Sequence, residues 1–205
     1  MNCLKSFAIS ISLIIFNSFI YALLFLFLKN EIYTYFLTYI LLSIFFMIIY
    51  KDKIKQDFFK LRNISLKQIL FIIVFIALSF ISEYILLNSM KTNSLNQKEL
   101  ENMISSSPLL MSIMLTVFSP FVEEVIYRLP YKKGFVSICL STIIFALVHL
   151  NLGNSKDLIF FIPYMFLSIS LSVAYFKDEN ILTSTFAHIL NNLIAIMVLF
   201  IWVVL

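Results

Sequence analysis

Residues 109–150 read LLMSIMLTVFSPFVEEVIYRLPYKKGFVSICLSTIIFALVHL. Two apolar runs, Leu109 to Leu129 and Phe135 to Leu150, flank a short turn that carries Lys132, Lys133 and Gly134. Each run is long enough, or nearly so, to cross about 30 Å of hydrocarbon as an α-helix rising about 1.5 Å per residue. The same pattern continues outward, with apolar runs over Ser6 to Leu28, Ile32 to Tyr50, Ile69 to Met90, Leu158 to Phe176 and Ile181 to Leu205. The chain is therefore predicted to be an all-α, polytopic integral membrane bundle of about seven transmembrane helices. A single transmembrane domain over residues 1–205 accounts for the whole sequence, with no internal repeat, low-complexity tract or soluble domain.

Composition agrees. Of 205 residues, 61% are hydrophobic and only 13% charged, with a mean hydropathy of +1.00, whereas soluble domains keep about a quarter of their residues charged. The charges gather in short patches between the apolar runs, as loops between spans would. With the N-terminus placed in the cytoplasm, one side holds Lys5, Lys51, Lys53, Lys55, Lys60, Arg62, Lys67, Arg128, Lys132, Lys133 and Lys177, and the other holds Lys29, Lys91, Lys98 and Lys156. That asymmetry is the positive-inside pattern, and it explains the net charge of +4 without a nucleic-acid partner. The basic run Lys51 to Lys67 also contains Phe58, Phe59 and Leu61, so it suits an anionic headgroup surface, although a topology signal is the plainer reading.

The remaining composition marks what is absent. Cys3 and Cys139 have no spacing that suggests a disulfide framework or thiolate metal site and are read as inert. Lys5 precedes an apolar run longer than a signal-peptide core, without an Ala-x-Ala exit, so that run is expected to stay as the first membrane helix. Gly134 and Gly153 are the only glycines, which excludes close packing through paired glycines and leaves it to Ser, Ala and large aliphatic side chains.

Ionisable side chains within spans are costly, on the order of a few kcal/mol each, and each needs a reason. Glu123 and Glu124 are adjacent in the fourth span, and both histidines of the chain, His149 and His188, fall in the fifth and seventh. Glu83 and Asn17 are further oddities outside any recognisable constellation. On a helix, residues four apart lie about 40° apart around the axis and residues five apart about 140°. Glu124 therefore shares a face with Arg128, leaving Glu123 as the freer carboxylate with Tyr127 beside it. The same spacing pairs Phe145 with His149 and His188 with Asn192. Counted from Gly134 in straight helices, Glu123 and His149 differ in height by about 6 Å, and His188 and Asn192 rise about 11 to 17 Å above the Asn180 turn, so one polar cavity can hold all four. A buried Glu–Arg pair is by itself more often structural than catalytic, and a lone intramembrane His is often a packing residue. The convergence of these groups on three helices at compatible depth favours a site.

The chemistry can be narrowed by inspection. No His-Glu-x-x-His helix, Gly-x-Ser-x-Gly elbow or aspartyl pair inside the spans is present, which leaves glutamate and histidine. Three motifs, Glu-Glu-x-x-x-Arg at Glu123 to Arg128, Phe-x-x-x-His at Phe145 to His149 and His-x-x-x-Asn at His188 to Asn192, resemble the CPBP family, the CAAX prenyl endopeptidase and bacteriocin-processing intramembrane proteases also called the Abi family. The resemblance covers roughly residues 108–195, a CPBP-like protease core, and departs from the usual pattern where Leu129 and Pro130 stand in place of a glycine after the Arg.

The resemblance implies an intramembrane endopeptidase in which Glu123 acts as general base on a water that His149 helps to hold, while His188 and Asn192 donate to the tetrahedral oxyanion. Glu124, Arg128 and Phe145 would support the site. A carboxylate removed from water is a stronger base, and preorganised donors in a dry cavity stabilise a developing negative oxygen. No cofactor is expected. Zinc held by Glu123, His149 and His188 is the open alternative, since the same side chains are metal ligands. Expected partners are the lipid bilayer and hydrophobic peptide or membrane-protein substrates, with pheromone or bacteriocin precursors more natural than prenylated proteins. The composition suggests the cell membrane of a low-GC bacterium. The competing functions are a non-catalytic bacteriocin self-immunity protein or peptide-binding scaffold, and a proton-coupled carrier, which should show inverted repeats and broken Gly or Pro helices.

Overall fold

A computed structural model of the chain describes residues 3–91 and 94–204, so Leu205, the end of the last predicted span, lies outside the described residues. Every regular element among them is helical. The first two spans are α1 (Cys3–Leu28) and α2 (Glu31–Ile49), joined by a tight link in which Lys29 takes a left-handed φ of 48° and Asn30 caps α2 by accepting from the Tyr33 amide. The third is α4 (Leu66–Met90), capped by Ser65, whose hydroxyl accepts from the Gln68 amide, and ended by Lys91 at φ 52°. The last is α10 (Ile181–Val204). Six helical stretches are long and apolar enough to span a membrane, and Phe135–Val148 is a shorter apolar helix beside them; the chain is a polytopic helical membrane bundle.

Two loops contain helices that the hydropathy pattern leaves out. The basic run folds as α3 (Lys51–Lys60), which exposes Phe58 and Phe59 and buries Asp57. The loop after α4 folds as α5 (Leu95–Ser106), capped by Ser94. Both are amphipathic and too polar to register as spans.

The fourth span differs from the continuous helix expected over Leu109 to Leu129. It runs as α6 (Pro108–Ile113), a π-helical turn at Met114–Phe118 and α7 (Ser119–Tyr127). Pro120 explains the break: it has no N–H to donate and its ring crowds the preceding turn, so the helix widens before it. The fifth span is also shorter than expected. Helix α8 (Phe135–Val148) has 14 residues and rises only about 21 Å, leaving His149 at its C-terminal end rather than inside it. The sixth begins with a 3-10 turn, Asp157–Phe160, and continues as α9 (Phe161–Phe176).

Helix α9 is the centre of the bundle, packed against α4, α8 and α10. Three buried serines reach three neighbours, Ser168 and Ser172 from one face and Ser170 from the other: Ser168 accepts from Arg128, Ser170 donates to the Ile72 carbonyl of α4, and Ser172 bonds Thr142 of α8 at 2.8 Å. The expected reliance on small hydroxylated residues for packing is realised here. Large aliphatic and aromatic side chains face outward along α1, α2 and α4, as a surface bathed in lipid requires.

At one end of the bundle the basic loops meet. Lys53 donates to Asp57 and to the Glu179 carbonyl, and Lys133 donates to the Lys177 carbonyl and, through its amide, to Glu179 Oε1. Asp57 in turn accepts from the Ile181 amide at 2.9 Å, placing a carboxylate on the N-terminus of α10.

Candidate functional site

The site is assembled around Phe145 on α8. Its carbonyl accepts from His149 Nδ1 at 2.6 Å, its ring lies 4.4 Å from the His149 ring and 5.7 Å edge-on from His188, and the Arg128 guanidinium sits 5.0 Å over its face. The four-residue spacing of Phe145 and His149 thus does two things: it stacks the rings and fixes the proton of the imidazole on Nδ1, so that Nε2 presents a lone pair to the cavity.

Arg128 is wholly buried. It donates to Ser141 Oγ at 2.7 Å and the Ser141 carbonyl at 2.9 Å through Nη1, to Ser168 Oγ at 2.9 Å through Nη2, and faces Glu124 across 3.4 Å. That last separation is a charge contact longer than an ordinary hydrogen bond. Glu124, equally buried, also accepts from His188 Nδ1 at 3.0 Å. The expected shared face of Glu124 and Arg128 is realised, and the pair ties α7 to α8, α9 and α10 at once.

Glu123 points elsewhere, as the helical spacing predicts. Its Oε1 accepts from Ser119 one turn earlier. Its Oε2 faces His149 Nε2 at 3.6 Å and His188 Nε2 at 3.8 Å. The side chains of Glu123, His149 and His188 are 14%, 20% and 4% exposed, so the group is nearly closed from solvent. Among the described residues no three of His, Cys, Asp and Glu stand together at metal-ligand spacing; Glu123, His149 and His188 are the set that comes nearest in kind.

Asn192 lies one turn after His188 and joins the same cavity, but its amide is engaged. Nδ2 donates to the Leu115 carbonyl at 2.8 Å, while Oδ1 accepts from Asn191. Leu115 is five residues before Pro120, so in the π turn its carbonyl is the one whose backbone donor the proline lacks. The broken helix and the asparagine therefore belong to one arrangement, and Pro120 and Leu115 are site residues that motif spacing did not reveal.

A cavity of about 130 Å³ contains Glu123, both histidines and Asn192 and extends to Glu83 on α4 and to Asn96, Gln97, Leu100 and Ile104 on α5. Tyr164 of α9 links its two ends: its ring packs 5.2 Å from that of His149, and its hydroxyl bonds Ser94 and Asn96 at 3.1 Å. Asp157 holds the far wall by accepting from the Leu95 amide at the start of α5 and the Asn151 amide in the loop after His149, at 2.8 and 2.7 Å. Glu83 is thus brought to the cavity that the motif residues line, whereas Asn17 borders a separate polar cleft with Tyr21, Tyr35 and Tyr39.

A buried carboxylate and two imidazoles around one point can move a proton, with a second carboxylate and an arginine holding them. Residues 105–194, which include all seven motif residues, match the family described as type II CAAX prenyl endopeptidase Rce1-like. No curated protein and no solved structure is significantly similar to the chain. The match over residues 105–194 supports the resemblance of this multi-pass membrane protein to the CPBP family of CAAX-type intramembrane proteases.

Proposed function

We propose that the chain is a glutamate-type intramembrane endopeptidase, with residues 108–195 as its protease core, that cleaves hydrophobic or membrane-associated peptides. The observation that carries this is the approach of both imidazole Nε2 atoms to Glu123 Oε2 inside a nearly closed cavity. His149 spends its Nδ1 proton on the Phe145 carbonyl, so a water with one hydrogen on Glu123 and the other on His149 Nε2 keeps an oxygen lone pair for attack. As the C–O bond forms, that water's proton passes to Glu123 and the carbonyl electron pair moves onto oxygen. Glu123 then gives the proton to the departing amine as the C–N bond breaks.

The oxyanion falls to His188 and Asn192. His188 already uses Nδ1 toward Glu124, so its Nε2 donates when the ring is the imidazolium. Asn192 must exchange the Leu115 carbonyl for the oxyanion. Glu124, Arg128 and Phe145 position the two rings. Because His188 and Asn192 are needed as oxyanion donors, the water is assigned to glutamate rather than to zinc. The setting proposed is a bacterial cell membrane with the N-terminus in the cytoplasm, and pheromone or bacteriocin precursors as substrates.

Wild type and Glu123→Gln, at equal folded amounts in membranes, should be assayed on an internally quenched library of hydrophobic peptides with and without a chelator. Cleavage that is lost by at least about 100-fold in the variant and survives the chelator is the expected result. Loss with the chelator would put zinc on Glu123, His149 and His188. No cleavage by well-folded wild type would favour a peptide-binding or immunity protein.

A further inference from the structure

The cavity holds a second carboxylate that the proposed chemistry does not use. Glu83 lies seven residues before the end of α4, about 10 Å inside the span, and lines the part of the cavity beneath α5. An intramembrane carboxylate is kept where it pairs, faces water or marks a substrate path. Among the described residues Glu83 makes no hydrogen bond or ion pair, and the charge that acts on it is the like charge of Glu101.

Its polar neighbours are already committed. Ser79, one turn earlier on the same face, donates to the Pro163 carbonyl at 2.9 Å; Asn96 donates to the Tyr164 hydroxyl; the Gln97 amide donates to Glu101 at 3.3 Å. These three neighbours therefore spend donors elsewhere, and Glu83 is left as an acceptor-only group without a donor among them. Beside it, Phe80 and Leu100 give an apolar flank, which suits the aliphatic stem of a long basic side chain while its charge reaches the carboxylate. Tyr164 spans from the His149 ring to this region, so an extended peptide whose scissile bond sits at Glu123 would bring a side chain a few residues away to Glu83.

We propose that Glu83 forms an acidic subsite of the protease cavity that binds a lysine or arginine side chain, or a free amine, of the peptide substrate. The proposal rests on the endopeptidase reading for what occupies the cavity, but its recognition step is independent of bond cleavage. It makes the enzyme selective for hydrophobic peptides carrying one basic residue, and unfavourable to an anionic group at that point.

Binding separates the two. The full chain carrying Glu123→Gln, in nanodiscs of neutral lipid, is titrated against fluorescein-labelled hydrophobic dodecapeptide pools in which lysine, norleucine or glutamate occupies each position in turn. One lysine pool should bind about tenfold tighter than its norleucine counterpart. Glu83→Gln, nearly isosteric, should bring the lysine pool to the norleucine level, and Glu83→Lys should transfer the preference to glutamate. Equal binding of lysine and norleucine pools, including binding of neither, overturns the subsite, as does a lysine preference that survives Glu83→Gln. Cleavage by the chain with Glu123 intact is followed beside it. Cleavage without charge preference leaves the protease standing and removes the subsite; lysine-selective binding without cleavage does the reverse.

Discussion

Arg128 is fully buried, and among the described residues its acidic partner is Glu124, with Nη1 and Nη2 donating to Ser141 and Ser168. Removing one member of such a pair strands the other charge in the core. Glu124→Gln or Arg128→Met should each lower stability by about 3–5 kcal/mol, whereas the double variant should lose less than either alone, because a buried ion pair replaced whole has no stranded charge. Thermal unfolding in detergent measures this cycle. The different directions of the two adjacent glutamates were legible in the sequence because helical geometry alone decides that residues four apart share a face. What the spacing did not reveal was that Glu124 bridges Arg128 and His188, since that depends on where α10 packs.

Among the elements, the broken fourth span matters most. The Leu115 carbonyl loses its backbone donor at Pro120 and recovers one from Asn192. Asn192→Ala should therefore cost about 1–3 kcal/mol, the usual penalty for an unpaired buried carbonyl. In a Pro120→Ala background the penalty should shrink, as the helix regains its own N–H; a scan of unfolding temperature across the four variants checks it. Hydropathy hides this break because Pro120 sits among apolar neighbours that keep the average high. A proton-coupled carrier is expected to show broken Gly or Pro helices and inverted repeats; the structure has one such break, at Pro120, but the sequence has no internal repeat. At the cavity wall, Asp157 joins α5 to the loop after His149. Asp157→Ala should raise amide exchange over residues 95–106 several-fold while leaving α9 protected, since local opening follows the loss of local anchors.

Across the whole molecule, the loops that parity placed on one side do gather at one end, through Lys53, Lys133, Lys177 and the Asp178–Glu179 turn. The positive-inside pattern is the basis for proposing that this end faces the cytoplasm. With Cys3 and Cys139 replaced by Ser, a membrane-impermeant maleimide applied to intact cells should label Lys156→Cys and not Lys55→Cys, both exposed positions; the reverse labelling would invert the proposed topology.

By itself the sequence determined the class of the molecule, its span positions, and the pairing of motif residues on helix faces, because these depend on hydrophobic length and on the 3.6-residue turn, both local properties. It also carried the family resemblance that residues 105–194 bear out. The tertiary structure decided the rest: the amphipathic helices α3 and α5, too polar to register as spans; the end of α8 at Val148, which sets His149 in the cavity; the Asn192–Leu115 bond; and the joining of Glu83 to the motif residues by one cavity. Each of these depends on which helices become neighbours, and that is settled by packing between segments as far apart in sequence as Asp57 and Ile181, about which periodicity along the chain carries no information.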